Sequence, residues 1–183
     1  MAELDITLPS AGLGLPITRG NCRLEAAALG PVWQIMPFPG ARDALDAALE
    51  PLGLRFPDPG QVLNGRDGAR LVWAGRETAF LIGAAQPPGL PAAVCDQSDG
   101  WVVLHLSGAR VVDVLARLAT IDLRDEAFPV ASSARIQLNH LPAMIIKNDS
   151  QALEIWSYRS MAATLVHELG VAMRAVAARV TSA

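Results

Sequence analysis

Three histidines and two cysteines are the side chains of this sequence best suited to metal ligation or nucleophilic attack. Their spacing argues against both. His105 has Val103 and Ser107 as its strand-period neighbours, so no second ligand lies beside it. His140 stands just before Pro142 in a turn. His167-Glu168-Leu169-Gly170-Val171 begins like a zinc-protease helix, but that helix needs a second histidine where Val171 stands. Cys22 and Cys95 form no CxxC pair and are expected to be two buried thiols of a cytoplasmic chain. Asp122, Asp125 and Glu126 contain the makings of a paired-carboxylate site. Arg124 lies among them, and the spacing predicts a solvated loop. Asp96 and Asp99 flank Gln97-Ser98, the pattern of a turn closed by side-chain hydrogen bonds. Gly12-Leu13-Gly14-Leu15-Pro16-Ile17 opens like a dinucleotide fingerprint but has Ile17 at the third glycine position and no strand before it. Gly65-Arg66-Asp67-Gly68 reads as a tight turn, and neither a GxxxxGK[ST] loop nor a GxSxG elbow is present. The expectation is that this chain holds no catalytic, cofactor-binding or metal-binding residue of its own.

The elements that would position such residues are clearer. Residues 1–20, with Pro9, Gly12, Gly14, Pro16 and Gly20, predict an extended arm. Residues 22–29 and 32–36 read as strands broken by Gly30-Pro31. A helix follows Pro39-Gly40, with Ala44, Leu45, Ala48, Leu49 and Leu52 on one face. A short strand at 62–64 and a hairpin of 70–73 with 78–82 complete a first half, 21–91. The second half, 92–183, repeats the rhythm: strands at 92–96 and 101–106, a helix at 109–118, then strands at 135–138, 143–146 and 153–158. His140-Leu141-Pro142 and Lys147-Asn148-Asp149-Ser150 are predicted turns. Ser160 is expected to cap a long helix with the stripe Ala162, Leu165, Val166, Leu169, Met173, Val176 and Val180. Trp33, Trp73, Trp101 and Trp156 all fall in predicted strands. The fold class is therefore α+β, two strand-helix-strand-strand halves forming mostly antiparallel sheet covered by helices, in one domain over 21–183.

Composition narrows the partners. Charged residues are 18% of the 183, below the usual quarter or so, while 51% are hydrophobic and only 5% aromatic. Mean hydropathy is +0.30. Such a surface fits either an alanine-rich composition or a chain partly covered by a partner. The net charge is −3 and no basic stripe runs through the sequence, which argues against nucleic acid. Apolar runs such as residues 79–85 are far shorter than a bilayer span, and the acidic start lacks a signal-peptide pattern. The expected setting is cytoplasmic, away from membranes.

One stretch carries a resemblance. Residues 96–108, from Asp96-Gln97-Ser98-Asp99-Gly100-Trp101 to Ser107-Gly108, lead into a helix. In order there follow Ile121-Asp122-Leu123-Arg124, Phe128-Pro129, Leu141-Pro142-Ala143 and Glu154-Ile155-Trp156-Ser157-Tyr158-Arg159-Ser160. Leu165-Val166-His167-Glu168-Leu169 closes the series. Together these resemble the gamma subunits of heterotetrameric sarcosine oxidases, within the folate-binding aminomethyltransferase-like family. The match is good over residues 95–175 and loose before them.

That resemblance implies a non-catalytic structural subunit beside alpha, beta and delta partners. The complex would oxidise sarcosine with oxygen and water to glycine, formaldehyde and hydrogen peroxide. With tetrahydrofolate present it would give methylene-tetrahydrofolate. NAD and the folate domain belong to alpha, FAD and covalent FMN to beta, and zinc to delta. The chain is too short for the C-terminal domain of a full aminomethyltransferase. That family's catalytic aspartate and folate contacts map to no position here. The alternative is a stand-alone tetrahydrofolate-binding or one-carbon transfer domain, by analogy of fold alone.

Overall fold

The computed structural model describes residues 7–180. Its organisation follows from three strands that are apolar on both faces. These are β8 (Trp101–Gly108), β10 (Leu141–Asp149) and β11 (Ala152–Tyr158). Residues 101–104, 143–147 and 153–157 are buried without a break. A strand with one wet face would alternate, so these three must be covered from both sides.

The order of the first sheet is β1 (Ile17–Arg19), β2 (Cys22–Ala26), β8, β11, β10 and β9 (Ser133–Leu138), all antiparallel. The second runs β4 (Val62–Asn64), β5 (Arg70–Gly75), β6 (Thr78–Ile82), β3 (Val32–Pro37) and β7 (Ala92–Asp96), also antiparallel. One face of the first sheet, with Leu104, Ile145 and Ile155, packs under helices α2 (Val111–Leu115) and α3 (Ala162–Val180). Leu115, Leu165, Leu169 and Met173 come down onto it. Its other face, with Val103, Met144, Ile146 and Trp156, meets Val32, Val72, Phe80 and Ile82 of the second sheet. The far face of that sheet, with Ile35, Leu71 and Leu81, takes Leu45 and Leu49 of α1 (Arg42–Leu49), together with Phe56. The result is an α+β stack of four layers, helix, sheet, sheet and helix.

The two halves do not form separate sheets. Strand β2 of the first half pairs with β8, and β7 of the second half pairs with β3. Each sheet thus takes strands from both halves, and the hydrogen-bond ladders lock them together.

Most predicted elements are present, with local differences. The arm extends to Pro16, because Ile17–Arg19 pairs with β2; residues 1–6 lie outside the described residues. Helix α2 is only five residues long. Pro142 lies inside β10, where its carbonyl accepts the Ser157 hydroxyl at 2.8 Å. β10 also runs on to Asp149, so the turn shrinks to the next residues. Ser160 does not cap α3. It sits within a single 3-10 turn, Arg159–Met161, that starts without a side-chain cap. The stripe of α3 is otherwise as expected through Val176, while the Val180 side chain is outside the described residues. Of the two thiols expected to be buried, only Cys22 is; Cys95 is exposed on the edge strand β7. Burial pushes the Cys22 thiol pKa up, against the opposing pull of Arg110.

Gly108 ends β8 where two backbones nearly touch. A Cβ there would lie 1.8 Å from the Asn21 carbonyl oxygen, and φ is +122°. Neither the space nor the backbone admits a side chain. Gly108→Ala should lower stability by roughly 3 kcal/mol, read from urea unfolding. A loss below about 1 kcal/mol would mean that the β2–β8 junction relaxes freely.

Candidate functional site

Glu154 is the charged centre of the space between the sheets. It lies on β11 in phase with Trp156, both facing the second sheet, and is buried. Arg70 of β5 crosses from that sheet and donates to both carboxylate oxygens, at 2.9 and 3.1 Å. Asn148 Nδ2 donates at 2.9 Å and Trp156 Nε1 at 3.1 Å. Burial opposes the charge on Glu154. The hydrogen bonds and charge of Arg70, with Asn148 and Trp156, outweigh it and hold the carboxyl below its ordinary pKa. His105, opposite Glu154 on β8, has its Nδ1 3.7 Å from Glu25.

On the other face of the same sheet lies Lys147, the only lysine in the chain and fully buried. Its Nζ donates to the Leu123 carbonyl at 2.7 Å and to Asp125 Oδ1 at 2.6 Å. It thereby ties β10 to the loop after α2. Asp122 in that loop is held down to about 2 by hydrogen bonds from the Arg124 side chain and backbone N–H.

Trp101 builds the end of the inter-sheet layer. Its ring meets Phe80 edge-on at 5.5 Å and Trp156 at 6.1 Å, and stacks on Tyr158 at 5.0 Å. The Arg135 guanidinium lies 5.1 Å from the ring centre. A hollow of about 530 Å³ adjoins it, lined in part by Leu8, Ala27, Leu29, Ser98 and Asp99. Trp101 Nε1 is buried and donates to no acceptor among the described residues. Arg159 holds the arm across this end, pairing with the Thr7 carbonyl and reaching Asp99.

The residues weighed from the sequence are scattered over the molecule. Asp96 closes the expected turn, its Oδ1 accepting the Ser98 N–H at 2.9 Å and hydroxyl at 2.6 Å. Those bonds, the hydroxyl's first, lower its pKa. His140, in a turn, and His167, on α3, are exposed, whereas His105 lies within β8. Asp122, Asp125 and Glu126 do form an exposed loop, but Asp125 is committed to Lys147. Among the described residues, no three of His, Cys, Asp and Glu converge on one point. Trp101 and Trp156 are core residues, whereas Trp33 and Trp73 are only half-buried. Sequence reasoning passed over the Arg70–Glu154 pair and Lys147. The available signal was a charge set among apolar strand residues: Ala69 and Leu71 flank Arg70, Leu153 and Ile155 flank Glu154, and Ala143 to Ile146 lead into Lys147.

No family model matches this chain, and no curated protein matches it. Among solved structures, a chain of the heterotetrameric sarcosine oxidase from Corynebacterium sp. U-96, in complex with pyrrole 2-carboxylate, shares this architecture. The TM-score is 0.78 at 24% identity, covering 92% of this chain and 94% of that one. The fold is thus that of a chain in that oxidase, matched nearly end to end. Aspartokinase III of E. coli aligns at a TM-score of 0.40 and 10% identity, over 81% of this chain and 32% of that one.

Breaking a buried pair strands the remaining charge and costs about 3–5 kcal/mol. Arg70→Met should lose that much in chemical denaturation, and Arg70→Met with Glu154→Gln clearly less. A lowered folded-state pKa stabilises above the ordinary glutamate value of about 4.3. That stabilisation is lost as pH falls through the folded value. Glu154→Gln should therefore flatten the acid limb of stability against pH, and an unchanged limb would remove Glu154 as its source. Lys147 should resist amine-reactive labelling in the native protein and react once it is unfolded, as peptide mass spectrometry would show. Native labelling at Lys147 would contradict its burial.

Proposed function

We propose that this chain is a non-catalytic subunit of a heterotetrameric sarcosine oxidase, the gamma position, acting with alpha, beta and delta partners. The carrying observation is the nearly end-to-end likeness to a chain of such an oxidase. The ordered sequence phrases from Asp96 to Leu169 support the same reading. The buried charges add to it. Glu154 spends its hydrogen bonds on joining the two sheets, and Lys147 on tying β10 to the loop after α2. In this reading FAD, FMN, NAD, zinc and tetrahydrofolate sit on partner subunits, and the assembly is cytoplasmic. The chain keeps the flavin-bearing and folate-bearing subunits in register, so that a one-carbon intermediate passes between fixed sites.

A second reading, a tetrahydrofolate-binding domain, is favoured by one feature. The hollow beside Trp101 adjoins an indole N–H that finds no acceptor among the described residues.

The test is to recover the tagged chain from its native host grown on sarcosine. The eluate is then sized and its visible spectrum recorded. A flavin-yellow assembly of several chains is expected. A colourless chain eluting alone would sink the subunit reading. Titration of that chain with tetrahydrofolate, followed by tryptophan fluorescence, would then decide the second.

A further inference from the structure

The outer helix layer carries a surface that the internal packing leaves unexplained. Helix α3 buries one side on the first sheet, yet its outward side is also poor in charge. Ala163, His167, Val171, Arg174 and Ala178 are exposed along it, and Val171 is 41% exposed. Within 159–179 an 18-residue stretch reaches a mean hydropathy of 1.2, although only 44% of that stretch is buried. A solvated helix ordinarily offsets its buried stripe with a charged face.

At the C-terminal end of this surface the charge changes abruptly. Two adjoining hollows, of about 270 and 470 Å³, share Arg110 and Val176. Arg19, Arg110, Arg117 and Arg179 ring them, with Met173 and Val176 in the floor. Asp113 is the one carboxylate in either lining, and it pairs with Arg110. Arg117 and Arg179 are exposed and meet no carboxylate among the described residues. Among the described residues, the Arg19 guanidinium donates only to the neighbouring Thr18 carbonyl. Arg179 also suits the negative end of the α3 dipole, but that explains neither Arg19 nor Arg117. Four guanidiniums around one carboxylate thus gather on a chain whose net charge is −3.

We propose that this face docks an acidic surface of a partner protein, whose carboxylates meet Arg19, Arg117 and Arg179 while its apolar side chains lie along α3. An apolar floor inside a cationic rim is the anatomy of a protein interface. The chain's overall negative charge repels a long polyanion such as nucleic acid at distance. The acidic character of the occupant follows from the patch alone. Its identity as an oxidase subunit rests on the function proposed above.

The test compares Arg117→Glu/Arg179→Glu with a control of equal charge change on the opposite side of the stack, Arg66→Glu/Arg76→Glu. Circular-dichroism melts confirm folding. A fluorescent deca-glutamate peptide is the probe, read by anisotropy at two salt concentrations. Wild type and control should bind alike, and the patch variant about tenfold more weakly, with the difference shrinking at high salt. Three results would overturn the proposal: no binding by wild type, equal weakening in both variants, or tighter binding of a single-stranded decanucleotide. In the native host, loss of the flavin-containing partner by the patch variant alone would support the surface. Retention of that partner by the patch variant would overturn it while leaving the subunit reading intact. Loss of the partner by wild type itself would end the subunit reading, and the peptide then decides the surface.

Discussion

The first sheet is apolar on both faces, and the rest of the molecule answers to that fact. Consecutive burial along 143–147 and 153–157 leaves neither side of β10 or β11 for water. One side is closed by α2 and α3, the other by a second sheet. The second sheet then has an apolar outer face of its own, through Ile35, Leu71 and Leu81, and needs α1. Each layer exists because the one beneath it cannot stand in water. The strand exchange between halves follows the same logic. Pairing β2 with β8 and β7 with β3 satisfies backbone groups on strands that would otherwise be sheet edges.

Within those dry layers the few charges act as register marks. Arg70 and Glu154 are bonded across the gap between the sheets, 84 residues apart in sequence. Their fork geometry admits one relative placement of the two sheets. Lys147 does the same for the loop after α2, where the amine has both a carbonyl and a carboxylate within reach. A buried charge without such partners would cost several kcal/mol, so these pairs favour one packing strongly over its neighbours. The polar chemistry of the interior is therefore structural.

The outer surface tells a different story from the interior. Trp101, Tyr158 and Arg135 crowd the open end of the sheet pair, and the arm is drawn across it by Arg159. The outward face of α3 is poor in charge and ends in two hollows ringed by arginines. These are two chemically distinct faces on one chain.

What the sequence determined by itself was local. The 3.6-residue stripe of Leu165, Leu169 and Met173 identifies α3 because a helix repeats its face without help from the rest of the chain. The turn at Asp96 and Ser98, the hairpin around Gly75, and the strand character of β8, β10 and β11 are legible for the same reason. The ordered phrases around Asp96, Leu141 and Glu154 pointed further, to the oxidase fold. Tertiary structure alone decided which strands lie side by side, which face of the first sheet meets the second, and that Arg70 finds Glu154. Two-faced strands carry no alternation to say which side goes where, so only the packing of all four layers breaks the tie. The exposure of Cys95 was settled there too, by the place of β7 at the edge of the second sheet.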